Sequence, residues 1–389
     1  MRKRILPLFL TLTVVLSLFP ASAEPQRQSA VPVVSAASAI LVEEQYGLVC
    51  LEKDADRRLP MASTTKIMTA LTALEHAEAE RLIRIPKEAV GVEGSSVYLA
   101  EGETLTLEQL LYALLLQSAN DAAEAIAIDI GGSIAGFADL MNAEAKKLNL
   151  TDTQFQNPHG LDADGHYTTA RELATITRAA LAHPLIRKIV GTVKATIPQG
   201  DSPDARLLVN HNRLLRSYDG AIGVKTGFTK KSGRCLVSAA ERNSVTLIAV
   251  TLNAPDDWRD HTAMLDYGFA QFGSKPICRT GDTAYDLPVT GGTAETVDLR
   301  YAHDLTLALP LGHAPLICTV EAPHFLYAPV RPDETVGYAV YSCDLDRDGK
   351  AEEIARVPLI TGAAIERKPA EKHGFFAWLK GLFQNRSNP

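Results

Sequence analysis

Ser63-Thr64-Thr65-Lys66 stands between Pro60-Met61-Ala62 and an apolar, alanine-rich run that opens with Ile67-Met68-Thr69. The spacing puts a hydroxyl and an amine three positions apart at the start of a predicted helix. Three positions are close to one turn, so both side chains project from the same face. A serine hydroxyl is a poor nucleophile until a base takes its proton, and a lysine can be that base if its pKa is lowered. S-x-x-K alone arises by chance in many proteins. Its weight rests on what lies further along the chain.

Two more segments complete a pattern. Ser118-Ala119-Asn120 follows the helical run 107–116, and Lys225-Thr226-Gly227 follows the apolar stretch Ala221-Ile222-Gly223-Val224. S-x-x-K, S-x-N and K-T-G in this order are the signatures of the serine penicillin-recognising enzymes, which the chain therefore resembles. Three longer segments narrow the resemblance to the low-molecular-weight D-alanyl-D-alanine carboxypeptidases. They are Pro60 to Thr69, Asn157-Pro158-His159-Gly160-Leu161-Asp162, and Gly223-Val224-Lys225-Thr226-Gly227-Phe228-Thr229. The resemblance runs over nearly the whole chain.

The resemblance implies that Ser63 is the acylated nucleophile, Lys66 its base, and Ser118 a proton relay between Lys66 and the leaving amine. It implies that Asn120 holds Lys66 and bonds the substrate amide, that Thr226 bonds the substrate's terminal carboxylate, and that the Phe228 N–H is the second oxyanion donor. Residue chemistry points the same way. Ser63 sits at a helix start, where its own N–H is unpaired and available to a developing oxyanion. A second cation, Lys225, which the resemblance places near Lys66, is expected to lower the pKa of Lys66 and attract an anionic terminus. Gly227 lets a substrate backbone approach the strand. Phe228 departs from the polar residue that many members carry after K-T-G. His159 is read as a structural histidine satisfied by its loop, and Arg259 as one half of an ion pair at a helix start. The implied partners are a peptidoglycan stem peptide and β-lactams. No cofactor is implied.

Other readings fit less well. A class A β-lactamase shares the three motifs but needs a deacylating glutamate in an E-x-x-L-N loop; Gln156 to Leu161 has none. A non-catalytic receptor for drug or wall would have no need of the intact Ser63, Lys66, Ser118, Asn120 and Lys225. Asp344-Leu345-Asp346-Arg347-Asp348-Gly349 resembles the first half of a calcium loop, but Ala355 stands where a bidentate glutamate is needed, so a β-turn is expected. The histidines show no H-E-x-x-H spacing, and a zinc peptidase lacks support.

The order of elements predicts an α+β fold. Ala39–Val42 and Leu48–Leu51 read as a hairpin, 104–183 as mostly helical, Cys235–Ala239 and Val245–Leu252 as strands, and 258–271 as a last helix. Thr106 with Gln109 and Thr169 with Glu172 have capping-box spacing, and Phe137, Leu140, Met141 and Leu148 mark an amphipathic helix. A sheet closed late in sequence around a helical insert matches the β-lactamase/transpeptidase-like domain of the resembled family, assigned to 38–275. From 276 to 365, short runs such as Leu305–Leu309, Val336–Val340 and Val357–Ile360 predict a small all-β domain.

The ends of the chain carry targeting signals. Met1-Arg2-Lys3-Arg4, the apolar stretch Ile5–Phe19 and Ala21-Ser22-Ala23 read as a signal peptide over 1–23, followed by a linker over 24–37. That mostly apolar stretch of fifteen residues falls short of the roughly 20 that a spanning helix needs. Export to the outer face of the cytoplasmic membrane is therefore expected. The formal charge of −7, more negative by three once Arg2, Lys3 and Arg4 are removed, argues against nucleic acid as a partner. Five cysteines leave at least one unpaired in an exported chain. Cys50 and Cys235 read as buried apolar residues, while a bridge among Cys278, Cys318 and Cys343 stays open. In 370–389, Phe375, Phe376, Trp378, Leu379, Leu382 and Phe383 gather on one helical face, which predicts an amphipathic helix at the membrane surface.

Overall fold

The structure is a computed structural model that describes residues 9–14, 30–200 and 202–369. The chain divides into two compact units. Of the described residues, the larger takes those from 30 to 274 with Ala308–Leu311; the smaller takes Lys275–Leu307, 312–369 and the strand Phe9–Val14.

The larger unit is built on five antiparallel strands. β1 (Ser38–Glu43) and β2 (Val49–Lys53) form the predicted hairpin, with Leu41 opposite Leu51. β5 (Ala221–Thr229), β6 (Gly233–Arg242) and β7 (Val245–Leu252) return late in sequence and give the order β2-β1-β7-β6-β5. β7 is buried along its whole length because both faces of the sheet are covered. Alternate side chains serve the two faces, as a pleated strand requires. Ile248 and Val250 belong to the core shared with the helical insert, whereas Leu247 and Ala249 pack with Met264 and Leu265 of α7 (Asp257–Phe269). A strand buried on both sides reads as an unbroken apolar run, and Val245–Leu252 does.

The insert contains α1 (Lys66–His76), α2 (Leu107–Leu116), α3 (Asn120–Gly131), α4 (Ile134–Lys147), α5 (Ala170–Ala182) and α6 (Pro184–Gly191). Thr106 and Gln109 make a complete capping box at α2. The box expected at α5 is only half formed. Thr169 accepts from the Glu172 N–H, but the Glu172 carboxylate turns away to the N–H groups of Thr151 and Asp152 and the Thr153 hydroxyl. Between α6 and β5 a hairpin of β3 (Lys194–Gln199) and β4 (Ser202–Val209) appears that the sequence reading missed. Pro198 and Pro203 disguise it, since proline is a poor ladder residue.

The smaller unit is a β-sheet of Phe9–Val14, β10 (Ile317–Pro323), β11 (Thr335–Cys343), β12 (Glu352–Thr361), β9 (Thr296–Tyr301), β8 (Thr283–Thr290) and the short Leu326–Tyr327, in that order. Every pairing is antiparallel except the last. Phe9–Val14 falls in the apolar stretch of the predicted leader and runs from Phe9 opposite Pro323 to Val14 opposite Cys318. The Asp344–Gly349 segment is a turn between β11 and β12. Its carboxylates accept N–H groups of the turn itself, Gly349 to Asp344 and Lys350 to Asp348.

All five cysteines are free thiols. Residues 24–29 of the predicted linker and the predicted 370–389 helix lie outside the described residues. No helix among the described residues is long and apolar enough to cross a membrane.

Candidate active site

Ser63 lies in a 3-10 turn, Ala62–Thr65, that runs straight into α1. The turn is tightly specified. Ala62 takes a positive φ of 48°. The Thr64 hydroxyl donates to the Met61 carbonyl at 2.6 Å, and the Thr65 hydroxyl donates to the Ala62 carbonyl at 2.8 Å. His166 braces Thr65 from below. Its Nδ1 accepts the Gln156 N–H at 3.0 Å, which places the ring proton on Nε2, 2.8 Å from Thr65 Oγ1. Burial pushes the His166 pKa down to about 4, so the ring is neutral. His166 is a supporting residue that no sequence motif marks.

Lys66 is completely buried at the first position of α1. Its Nζ lies 3.0 Å from Ser63 Oγ, 2.7 Å from Asn120 Oδ1 and 2.7 Å from the His159 carbonyl. The orientation of the Asn120 amide is fixed by its other end, since Nδ2 donates to the Glu93 carbonyl at 2.6 Å. The His159 carbonyl is presented by a self-closed loop. Asn157 Oδ1 accepts the N–H groups of His159 and Gly160, and its Nδ2 donates to the Leu161 carbonyl. Thr69 anchors the loop to α1 by donating to the Pro158 carbonyl at 2.6 Å. Gly160 is obligatory here. Its φ is +87°, and a Cβ at that position would stand 1.9 Å from the Ala62 carbonyl oxygen.

The Lys66 pKa is held well below the ordinary lysine value, by burial first and by the Lys225 charge second, with Asp121 opposing. The sequence reading named the neighbouring cation; desolvation outweighs it. Lys225 on β5 is itself buried, donates to the Thr226 carbonyl at 2.8 Å, and is brought down to about 7 by burial.

β5 is the edge strand of its sheet, and Gly227 brings that edge against the Ser63 turn. A Cβ on Gly227 would stand 3.0 Å from the Ser63 nitrogen and 3.2 Å from the Met61 carbonyl oxygen. Thr229 at the end of β5 donates to Asp162 Oδ1 at 3.0 Å, tying the strand to the 157–162 loop. Ser118 occupies the α2–α3 connection with a positive φ of 60° and is buried. Its hydroxyl makes no hydrogen bond to a described residue. Two residues on, the Asn120 N–H donates to the Ser95 carbonyl at 2.7 Å.

The family model described as D-alanyl-D-alanine carboxypeptidase, peptidase S11, matches residues 25–256. The chain belongs to this family. D-alanyl-D-alanine carboxypeptidase DacF of Bacillus subtilis is 31% identical over 89% of this chain and 88% of its own length. DacC of Escherichia coli is 32% identical over 89% and 86% respectively. Among solved structures, the carboxypeptidase DacD of Francisella tularensis superposes with a TM-score of 0.61 at 26% identity, covering 89% of this chain and 98% of that one. The Streptomyces K15 DD-transpeptidase gives 0.59 at 33% identity, covering 62% of this chain and all of that one.

Within this family member the expected site residues are placed unevenly. Ser63, Lys66 and Asn120 meet directly, and Lys225 acts on Lys66 through its charge. The Thr226 hydroxyl makes no hydrogen bond among the described residues, and the Phe228 ring is 65% exposed. The His159 ring is the structural group expected. Its Nδ1 accepts the Leu161 N–H at 3.1 Å, and its Nε2 lies 3.4 Å from Glu124 Oε1. It is the main-chain oxygen of this residue that reaches Lys66. The ion pair expected of Arg259 at the start of α7 is instead made by Asp257 with Arg234, at 3.0 Å. Asp121 was also missed. It is buried and binds the Ser96 hydroxyl and the N–H groups of Val97 and Leu99, so it fixes the 93–99 loop over α3.

Proposed function

We propose that this chain is a serine D-Ala-D-Ala carboxypeptidase that removes the terminal D-alanine from peptidoglycan stem pentapeptides through an acyl-enzyme at Ser63. The coordination of Lys66 Nζ carries this reading. A neutral amine has two N–H donors and one lone pair. Asn120 Oδ1 and the His159 carbonyl can only accept, so they take both donors, and the lone pair is left for the Ser63 hydroxyl. Burial lowers the Lys66 pKa well below the ordinary lysine value and so favours the neutral amine, which supports Lys66 as the base.

In the proposed sequence, Ser63 Oγ bonds the carbonyl carbon of the penultimate D-alanine while its proton passes to Lys66 Nζ. The Ser63 and Phe228 N–H groups receive the oxyanion. Collapse breaks the C–N bond, and the departing D-alanine nitrogen takes the proton by way of Ser118, whose hydroxyl has no competing partner among the described residues. Lys225 and Thr226 hold the substrate's terminal carboxylate. Water then adds to the ester, and its cleavage frees the shortened stem and restores the Ser63 hydroxyl. β-Lactams present the same acyl group and trap the same serine. Mass spectrometry after benzylpenicillin treatment, with the adducted residue mapped, tests the nucleophile. Release of D-alanine from a diacyl-L-Lys-D-Ala-D-Ala peptide tests the activity and separates it from a receptor role.

We also propose, from the leader over 1–23 and the amphipathic pattern over 370–389, that the enzyme works at the outer face of the cytoplasmic membrane. Ending the chain after Pro369 is then expected to abolish binding to anionic liposomes and leave turnover of a soluble peptide unchanged. A truncated protein that still pellets with the liposomes overturns the anchor.

A further inference from the structure

Next to the S-x-N connection lies a cavity of about 420 Å³ between the 93–99 loop and the β3–β4 hairpin. Gln117, the residue before Ser118, forms part of its wall, together with Ser96, Tyr98, Gln199, Arg206 and Leu207. The cavity and the Ser63 site therefore share one short connection.

Among the described lining residues the one charged side chain, Arg206, is already engaged. Arg206 uses all five N–H donors within the protein, on the carbonyls of Val97, Pro198 and Tyr98 and on both oxygens of Glu103. Glu103 in turn accepts the N–H groups of Ala100 and Gly200. The Ser96 hydroxyl is committed to Asp121 and to the Tyr98 N–H. The polar groups left without a hydrogen-bond partner among the described residues are the carboxamides of Gln117 and Gln199 and the Tyr98 hydroxyl. Tyr98 is 86% exposed and Leu207 60% exposed, so the mouth offers apolar surface as well. Such a lining can donate and accept hydrogen bonds but offers no compensation to a buried charge.

We infer that this cavity is a subsite for the side chain that precedes the D-Ala-D-Ala end, and that it selects a neutral carboxamide terminus over an ammonium or a carboxylate. The inference rests on the carboxypeptidase reading. If Lys225 on β5 holds the terminal carboxylate, the remainder of the substrate must leave across the opposite wall, formed by Ser118, Asn120 and the 93–99 loop. Gln117 adjoins Ser118 in the chain and lines the cavity, so it links the two. An amide at the tip of a four- or five-atom side chain can exchange hydrogen bonds with both glutamines, each of which offers one acceptor and two donors.

The test uses three diacyl peptides ending in D-Ala-D-Ala, identical except that the preceding side chain ends in a carboxamide, an ammonium or a carboxylate. D-Alanine release is measured for each. The carboxamide peptide is expected to show a KM about tenfold below the other two, the worth of one or two neutral hydrogen bonds, with similar kcat. Gln117→Leu and Tyr98→Ala are each expected to erase the difference while leaving the rate of benzylpenicillin acylation unchanged, since that ligand carries no such side chain. Gln199→Glu is expected to shift the preference toward the ammonium peptide. Equal KM values for the three peptides, or a preference that survives Gln117→Leu, would overturn the subsite while leaving the carboxypeptidase reading intact. No D-alanine from any of the three would overturn both.

Discussion

Asn120 holds Lys66 with one end of its amide and the Glu93 carbonyl with the other, Oδ1 to Nζ at 2.7 Å and Nδ2 to oxygen at 2.6 Å. The two bonds make the side chain a fixed acceptor for the amine. Asn120→Asp keeps the shape but introduces a negative charge beside Lys66, which favours the ammonium and removes the lone pair that Ser63 needs. Acylation by benzylpenicillin is expected to slow by about 10²-fold or more at pH 7 and to recover as the pH is raised. A pH profile of the acylation rate checks this, and a profile parallel to that of the parent enzyme would exclude it.

Ser63→Ala is expected to abolish the penicillin adduct with the fold unchanged, because one half-buried hydroxyl contributes little to stability. Lys66→Ala removes the proposed base and should likewise stop acylation. An adduct that forms at the parent rate in the Ser63→Ala protein would sink the assignment, as read by intact-protein mass spectrometry.

Lys225 has a pKa near 7, lowered by burial, and binds a carboxylate only as the ammonium. As pH rises through 7 the free enzyme loses that proton. KM for a peptide with a free carboxylate should then rise by up to about tenfold per pH unit, and KM for an ester-capped analogue should change little. The sign for stability is opposite. Both buried lysines have folded-state values below their unfolded ones, so the unfolded chain binds more protons in the window between about 7 and the ordinary lysine value. Stability is expected to increase with pH across that window. Urea unfolding at pH 7 and pH 9 decides, and a lower midpoint at pH 9 would contradict the burial of these groups.

Lys225→Ala should weaken a free-carboxylate substrate by the worth of a charge-assisted contact, about 1.5–3 kcal/mol, and an ester-capped one by much less. Steady-state kinetics on the pair provides the comparison. Equal losses would place the role of Lys225 elsewhere.

Gly160→Ala drives a methyl group into the Ala62 carbonyl at a positive φ and should cost about 2–4 kcal/mol with loss of acylation. Gly91→Ala makes the control. Its φ is also positive, at 75°, but a Cβ there meets nothing within 4 Å, so only the backbone term of about 1 kcal/mol is expected. Thermal melts of the two variants measure the difference.

Much of this site was readable because its chemistry sits in side chains at fixed short spacings. Ser63, Lys66, Ser118, Asn120 and Lys225 each fall in a three- or four-residue motif, and the hairpin and helices around them follow from period and caps. The half-formed box at Thr169 was not readable, because the Glu172 carboxylate found N–H partners twenty residues away in sequence. His166 and Asp121 were missed for a related reason. They act by bracing a turn and a loop, through contacts that only the folded chain creates. The β3–β4 hairpin was hidden by its prolines, and with it the cavity that it walls.

The third partner of Lys66 is a peptide oxygen, contributed by residue 159 whatever side chain stands there. Alanine scanning is blind to such a ligand. A His159→Ala variant would report only on the ring and its contacts with the Leu161 N–H and Glu124, and would leave the carbonyl in place. Exchanging the 159–160 amide for an ester by protein semisynthesis would reach it, since an ester carbonyl is a poorer acceptor. The proposed base is thus protected at one of its three contacts from anything a single codon can change directly.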